Sequence, residues 1–137
     1  MRIVVRGILS IEDDDEGPKY LLMTSKKDFG AYAGFYYPIG GGVKKGETQE
    51  QALIREFKEE LDLDIIPGEL ITQTSADFPD QEVNWWTCTT KNPKFKILDK
   101  YILDVDYFNK YEMKKMTIWP ATKTFFEKHI FNQSDED

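Results

Sequence analysis

Cysteine is nearly absent: Cys88 is the only one among 137 residues. One thiol cannot close an internal disulfide, so a secreted fold held by disulfides is excluded and a cytoplasmic setting is expected. No apolar run approaches the ~20 residues that span a bilayer. The opening Met1-Arg2-Ile3-Val4-Val5-Arg6 lacks the apolar stretch of a signal peptide, so no membrane partner is expected. Cations are also short, with 18 Lys and Arg against 25 Asp and Glu and a formal charge of −7. Such a chain lacks the basic track that duplex nucleic acid demands. The single histidine, His129, falls in a terminal helix, where a surface or packing role is expected.

What is present suffices for one core. The chain is 40% hydrophobic and 14% aromatic, too rich in core-forming residues for a disordered protein, and its length matches about one domain. A single domain over 1–137 is expected, with 131–137 as a frayed tail. Fourteen of the 25 acidic residues fall in three runs, at 12–16, 47–62 and 135–137. The first reads as a solvated hairpin tip, because like charges repel and seek water. The second calls for an explanation.

β-branched runs predict strands over Ile3–Ile11 and Tyr20–Thr24, a short strand at Phe35–Tyr37, and further strands over Glu69–Phe78, Val83–Thr90 and Phe95–Val105. Lys26–Gly34 reads as a loop. Good helix formers from about Thr48 to Leu61 predict one strong helix, with Leu53, Ile54, Phe57 and Leu61 on its apolar face. A short helix is expected over Tyr107–Lys115, and Pro120 opens a terminal helix reaching about Phe131. Strands around a central helix, with a second helix at the C-terminus, indicate an α/β sandwich on a mixed sheet.

Glu56, Glu59 and Glu60 share one side of the strong helix, with Glu59 about 60° to one side of Glu56 and Glu60 about 40° to the other, beside the apolar stripe; Arg55 and Lys58 are expected to point elsewhere. Like charges at i, i+3 and i, i+4 cost a few tenths of a kcal/mol per pair, so stability alone does not explain them. A solvated acidic face is one reading. The other is a divalent cation site, since hard carboxylate oxygens suit Mg²⁺ shared with substrate phosphates. Gly40-Gly41-Gly42 precedes the helix, and its bare backbone can approach a phosphate or metal near the anion-favouring helix N-terminus.

Gly41 through Leu63 resembles the box of the Nudix hydrolase family (MutT-like), G-x5-E-x7-R-E-U-x-E-E-x-G-U with U apolar. Gly41, Glu47, Arg55, Glu56, Phe57, Glu59, Glu60 and Leu63 match; Asp62 stands where the box has its second glycine. The resemblance implies the Nudix α/β/α sandwich and hydrolysis of a nucleoside diphosphate linked to another group, such as a nucleoside triphosphate or an ADP-ribose-like substrate. It also implies Mg²⁺, with Mn²⁺ as the alternative, held by Glu56, Glu59, Glu60 and the Gly40 carbonyl. Gly41, Glu47 and Arg55 would be structural, with Arg55 pairing to Glu47. Water would attack phosphorus with Glu56, Glu59 and Asp99 as the catalytic carboxylates, the base being Glu56 or a later residue, Asp99 before Glu82. Pro79, 16 residues beyond Leu63, matches a family feature associated with ADP-ribose hydrolysis, although it also reads as part of a plain Phe78-Pro79-Asp80 turn.

Tyr37, Trp85 and Trp86 are candidate substrate contacts, and Trp85 and Trp86, adjacent on one strand, must face opposite sides. A small nucleotide is the expected partner, with a homodimer as an open option. The rival class is a Nudix-like module that senses a nucleotide without turning it over.

Overall fold

The computed structural model describes residues 1–26, 30–75 and 79–132. Six strands form one sheet: β1 (Arg2–Asp13), β2 (Gly17–Ser25), β3 (Gly40–Gly42), β4 (Ile66–Ser75), β5 (Gln81–Thr89) and β6 (Ile102–Phe108). Their order is β4-β5-β1-β2-β6, with β3 also on β1; β1 and β5 run parallel and the other pairs antiparallel, so the sheet is mixed as expected. Alternation along β1 divides the interior. Val5 and Leu9 join Leu53, Phe57 and Leu61 of α1 (Gln49–Leu61) on one face. Val4 and Ile8 join Trp85, Phe125 and Phe126 on the other, under α2 (Lys110–Lys114) and α3 (Pro120–Phe125). The result is an α/β/α sandwich.

The acidic run at 12–16 is the tip of the β1–β2 hairpin: Asp13 Oδ1 accepts the Asp15 and Glu16 amides at 2.9 and 3.1 Å, and Lys19 lies 2.7 Å from Glu16. Beyond the tip, β1 and β2 pair directly only through Ser10–Asp13 and Gly17–Tyr20. Below that they part, and residues 37–42 fill the wedge. Tyr37 exchanges backbone hydrogen bonds with Met23 of β2, Gly7 donates to the Ile39 carbonyl, and Gly40–Gly42 pair with Val4–Arg6. The glycine triplet is thus a short strand set into the sheet.

Several boundaries differ from expectation. Residues 95–99, expected to open a strand, are not strand. The Lys96 and Leu98 amides instead donate at 2.9 Å to the Leu61 and Glu60 carbonyls, closing the last turn of α1, so β6 begins only at Ile102. Tyr107 and Phe108 extend that strand, and α2 starts at Lys110, capped by an Asn109–Glu112 box. Tyr36 and Tyr37 form isolated bridges rather than a strand. On α1, Ile54 is 44% exposed and Ala52 takes the buried position beside Leu53. Past Phe125 the terminal helix widens to π geometry over Phe126–Phe131. That spacing brings residues i and i+5 together: Phe126 and Phe131 both meet the Tyr20 ring, at 5.2 and 6.0 Å. Of the expected segments, 27–29 of the loop, 76–78 of the fourth strand and its turn, and 133–137 of the tail lie outside the described residues.

Candidate active site

The site is built around α1. Thr48 caps the helix in a reciprocal box with Gln51, at 3.1 and 2.9 Å. At the other end Asp62 adopts the left-handed conformation (φ 52°), and its amide donates to the Lys58 carbonyl. Aspartate tolerates this geometry better than most residues, so it replaces the box glycine at modest cost. Arg55 joins the helix to the glycine strand. Its Nε and Nη2 grip both oxygens of Glu47 at 2.7 and 3.0 Å, and Nη2 also donates to the Gly42 carbonyl at 3.0 Å. Nη1 donates to Glu56 at 2.8 Å and reaches Glu59 at 3.4 Å. Arg55 therefore does not point away from the carboxylates; its long stem folds back along the helix and screens two of them.

Electrostatics follow from this arrangement. The Arg55 hydrogen bond holds the Glu47 carboxyl down to about 2, helped by the Lys44 amide. Glu47 in turn raises the proton affinity of Arg55. Burial pushes the Glu56 carboxyl up, against the opposing pull of Arg55.

Glu56 and Glu60 line a cleft of about 350 Å³ together with Gly40, Gly41, Gly42, Arg2, Val4, Arg6, Tyr37, Gln81 and Trp119. Bare backbone is what lets Glu56 in. A Cβ on Gly41 would lie 2.6 Å from Glu56 Oε1 and 2.8 Å from its carboxyl carbon. Two hard carboxylates beside such a cradle suit a cation of the Mg²⁺ kind, which binds through one or two carboxylates and keeps its remaining positions for water and phosphate.

The structure brings together only part of the expected set. Glu59 is not on the cleft wall; its side chain is 54% exposed and turned to Arg55. Among the described residues, no three His, Cys, Asp or Glu side chains are arranged to hold a metal ion. Asp99 lies just past α1, with its amide near the Glu60 carbonyl and its carboxylate accepting the Tyr101 amide at 2.8 Å; it does not line the cleft. Glu82 accepts from Asn84 at 3.2 Å and faces away from Gln81, the β5 residue that does line it. Trp85 is 1% exposed, stacked on Phe125 at 4.4 Å, with its indole N–H given to Thr74. Trp86, on the opposite face, donates to Gln49 at the start of α1. Neither tryptophan offers a ring to a ligand in this cleft. Tyr37 does border it, but its ring is already stacked on Trp119 at 4.1 Å.

Arg2, Arg6 and Trp119 lay outside the sequence-based set. The alternation Arg2, Val4, Arg6 on one strand was the available signal, since these positions share a face. Nothing in the sequence showed that this face meets the helix carboxylates, because that meeting depends on the wedge between β1 and β2.

Comparison with known proteins agrees with this geometry. The NUDIX domain family model matches residues 1–128. The 8-oxo-dGTP diphosphatase of Proteus vulgaris is 40% identical over 50 residues, covering 36% of this chain and 45% of that protein, so the match spans less than half of this relative. The nucleoside triphosphatase NudI of Escherichia coli O139:H28 is 32% identical over 95 residues, covering 60% of this chain and 67% of that one. A NUDIX hydrolase from Nitrosomonas europaea superposes with a TM-score of 0.82 at 18% identity, over 99% of this chain and 73% of that one. The NUDIX domain of Shewanella oneidensis NrtR, complexed with ADP ribose, gives 0.76 at 17% identity, over 96% and 87%. At those identities the structures share the fold. With the box on α1 and a family match across nearly its whole length, the chain belongs to the Nudix hydrolase family.

Proposed function

We propose that this chain is a divalent-cation-dependent pyrophosphohydrolase that cleaves a nucleoside diphosphate linked to another group, with a nucleoside triphosphate as the first substrate to try. The observation that carries this reading is one cleft holding Glu56 and Glu60, the Gly40–Gly42 backbone, and two arginines. Nudix hydrolases generally use divalent metals. Here Glu56, Glu60 and the Gly40 carbonyl would hold Mg²⁺ or Mn²⁺, with Glu59 joining once it leaves Arg55. Such a cation, when bound, would polarise phosphoryl oxygens and acidify the attacking water. The chain's own groups do the rest. Arg55 fixes Glu56 against the glycine strand, and Arg2 and Arg6 offset phosphate charge. Glu56, which lines the cleft, is favoured for accepting the water's proton over Asp99 and Glu59, which do not. The net charge of −7 favours a small nucleotide over a duplex. Among the described residues no helix is long and apolar enough to cross a membrane.

A second reading, a nucleotide sensor without turnover, is favoured by one observation: Glu59 is engaged by Arg55 rather than presented to the cleft. A panel of nucleoside triphosphates and ADP-ribose, incubated with Mg²⁺, with Mn²⁺ or with excess chelator and resolved by chromatography, separates the two. Hydrolysis abolished by chelator is expected. Turnover unaffected by chelator would overturn the metal assignment, and tight binding without product would establish the sensor.

A further inference from the structure

Only three of the 18 basic residues are arginines, and all three border the cleft: Arg2 and Arg6 line it, and Arg55 bonds Gly42 and Glu56 on its wall. None of the described lysines lines it. The planar guanidinium fork, which matches phosphate geometry, is thus concentrated at one place. Arg55 has its work accounted for, but Arg6 does not. Of the five N–H donors a guanidinium carries, Arg6 uses one toward a described residue, Nη1 to the Pro38 carbonyl at 3.2 Å. Its orientation comes from elsewhere. The Arg6 Cζ lies 5.2 Å from the Tyr37 ring centroid and 5.4 Å from that of Trp119, and those two rings stack on each other. Contact with the two rings holds the group in place without consuming its donors.

Glu56 and Glu60, on α1, line the same cleft as Arg6, on β1, close enough for their charge to act on it, yet Arg6 forms no ion pair with a described residue. Carboxylates from the helix and a guanidinium from the strand, lining one cleft, are balanced by a cation at the carboxylates and an anion at the arginine. A cation-bound diphosphate has that order of charge. A base edge would satisfy the guanidinium donors but would not supply the negative charge.

We propose that Arg6 contacts the substrate's pyrophosphate, donating to non-bridging phosphoryl oxygens from the β1 side of the cleft that Glu56 and Glu60 also line. This rests on the pyrophosphohydrolase reading for its role in turnover, but its binding claim can be tested alone. The direct probe is inorganic pyrophosphate with Mg²⁺, measured by calorimetry on the full chain and on the Arg6→Gln and Arg6→Lys variants. Arg6→Gln is expected to weaken pyrophosphate about 100-fold and Arg6→Lys about 10-fold, because lysine keeps the charge and loses the fork. Values of kcat/KM for GTP, ATP, CTP and UTP should fall together, within about threefold of one another, as a phosphate contact carries no base information. Unchanged pyrophosphate affinity overturns the proposal, and so does a wild-type protein that binds no pyrophosphate. A loss confined to one base also overturns it and makes Arg6 a base reader. If Arg6→Gln does not fold, Arg6→Lys carries the test, its melting temperature showing whether the weakening is local. Wild-type protein that binds pyrophosphate through Arg6 but hydrolyses no nucleotide would refute the enzymatic reading while leaving this contact standing.

Discussion

Replacing Gly41 with alanine adds one methyl group at the point where the glycine strand meets the helix. The backbone conformation there is ordinary, so the cost is one of space alone. The new Cβ would stand 2.6, 2.8 and 3.0 Å from Glu56 Oε1, Cδ and Oε2, well inside ordinary contact. Relief requires the carboxylate to retreat by about 0.6–1 Å. That retreat lengthens the 2.8 Å bond from Arg55 Nη1. A charge-assisted hydrogen bond in a partly exposed setting is worth about 1–2 kcal/mol, so Gly41→Ala is expected to lose about that much stability. For a chain of this length the melting temperature should drop about 3–8 °C. Activity should suffer more, because misplacing a reacting group by about 1 Å can cost about 10²-fold in rate. Gly46→Ala is the matched comparison. Gly46 has φ +83° and open space around its would-be Cβ, so alanine is strained but touches nothing. It should destabilise by about 1 kcal/mol and leave kcat within about twofold. Thermal melts and steady-state rates on both variants provide the assay. Gly41→Ala with normal kcat and normal Mn²⁺ affinity would refute the placement of Glu56 in the site.

Three further outcomes follow from named groups. Glu60→Gln should leave stability in chelator unchanged or a few tenths of a kcal/mol higher, since one of three like charges is gone, yet lower Mg²⁺-supported turnover about 10³-fold; near-normal turnover would remove Glu60 from the site. Glu47 is held down to about 2 by Arg55, below its unfolded value near 4.5, so its stabilising contribution is complete above about pH 4.5 and disappears as pH falls toward 2. Urea midpoints from pH 7 to 2.5 should show that loss, and Arg55→Met should flatten it. Cys88 is 3% exposed, and burial pushes its thiol up to about 12, so iodoacetamide at pH 8 should label it only as the chain unfolds; rapid native labelling would contradict the packing.

The sequence by itself determined the parts governed by short-range rules. The helix over Gln49–Leu61, its Thr48 cap and the left-handed turn at Asp62 follow from propensity and capping chemistry acting within a few residues. The pairing of Arg55 with Glu47 follows from the same box, whose spacing also carried the family and the sandwich fold. What the sequence did not determine was where separate elements meet. Residues 95–99 look apolar enough to begin a strand, but their amides are needed by the last carbonyls of α1, and only the folded chain puts those groups side by side. Three glutamates on one helix face read as an equal set. The tertiary structure divides them, because Arg55 folds back onto Glu59 while the glycine strand admits Glu56. Trp85 and Trp86 were plausible ligand platforms until the sheet committed each to a core contact on its own face. Arg6 shows the opposite case: unremarkable in a strand, it becomes a cleft cation because β1 and β2 part around residues 37–42 and expose it to the helix carboxylates. Local chemistry is written in neighbouring residues, whereas a site made of a strand face, a glycine edge and a helix face exists only once packing has fixed all three.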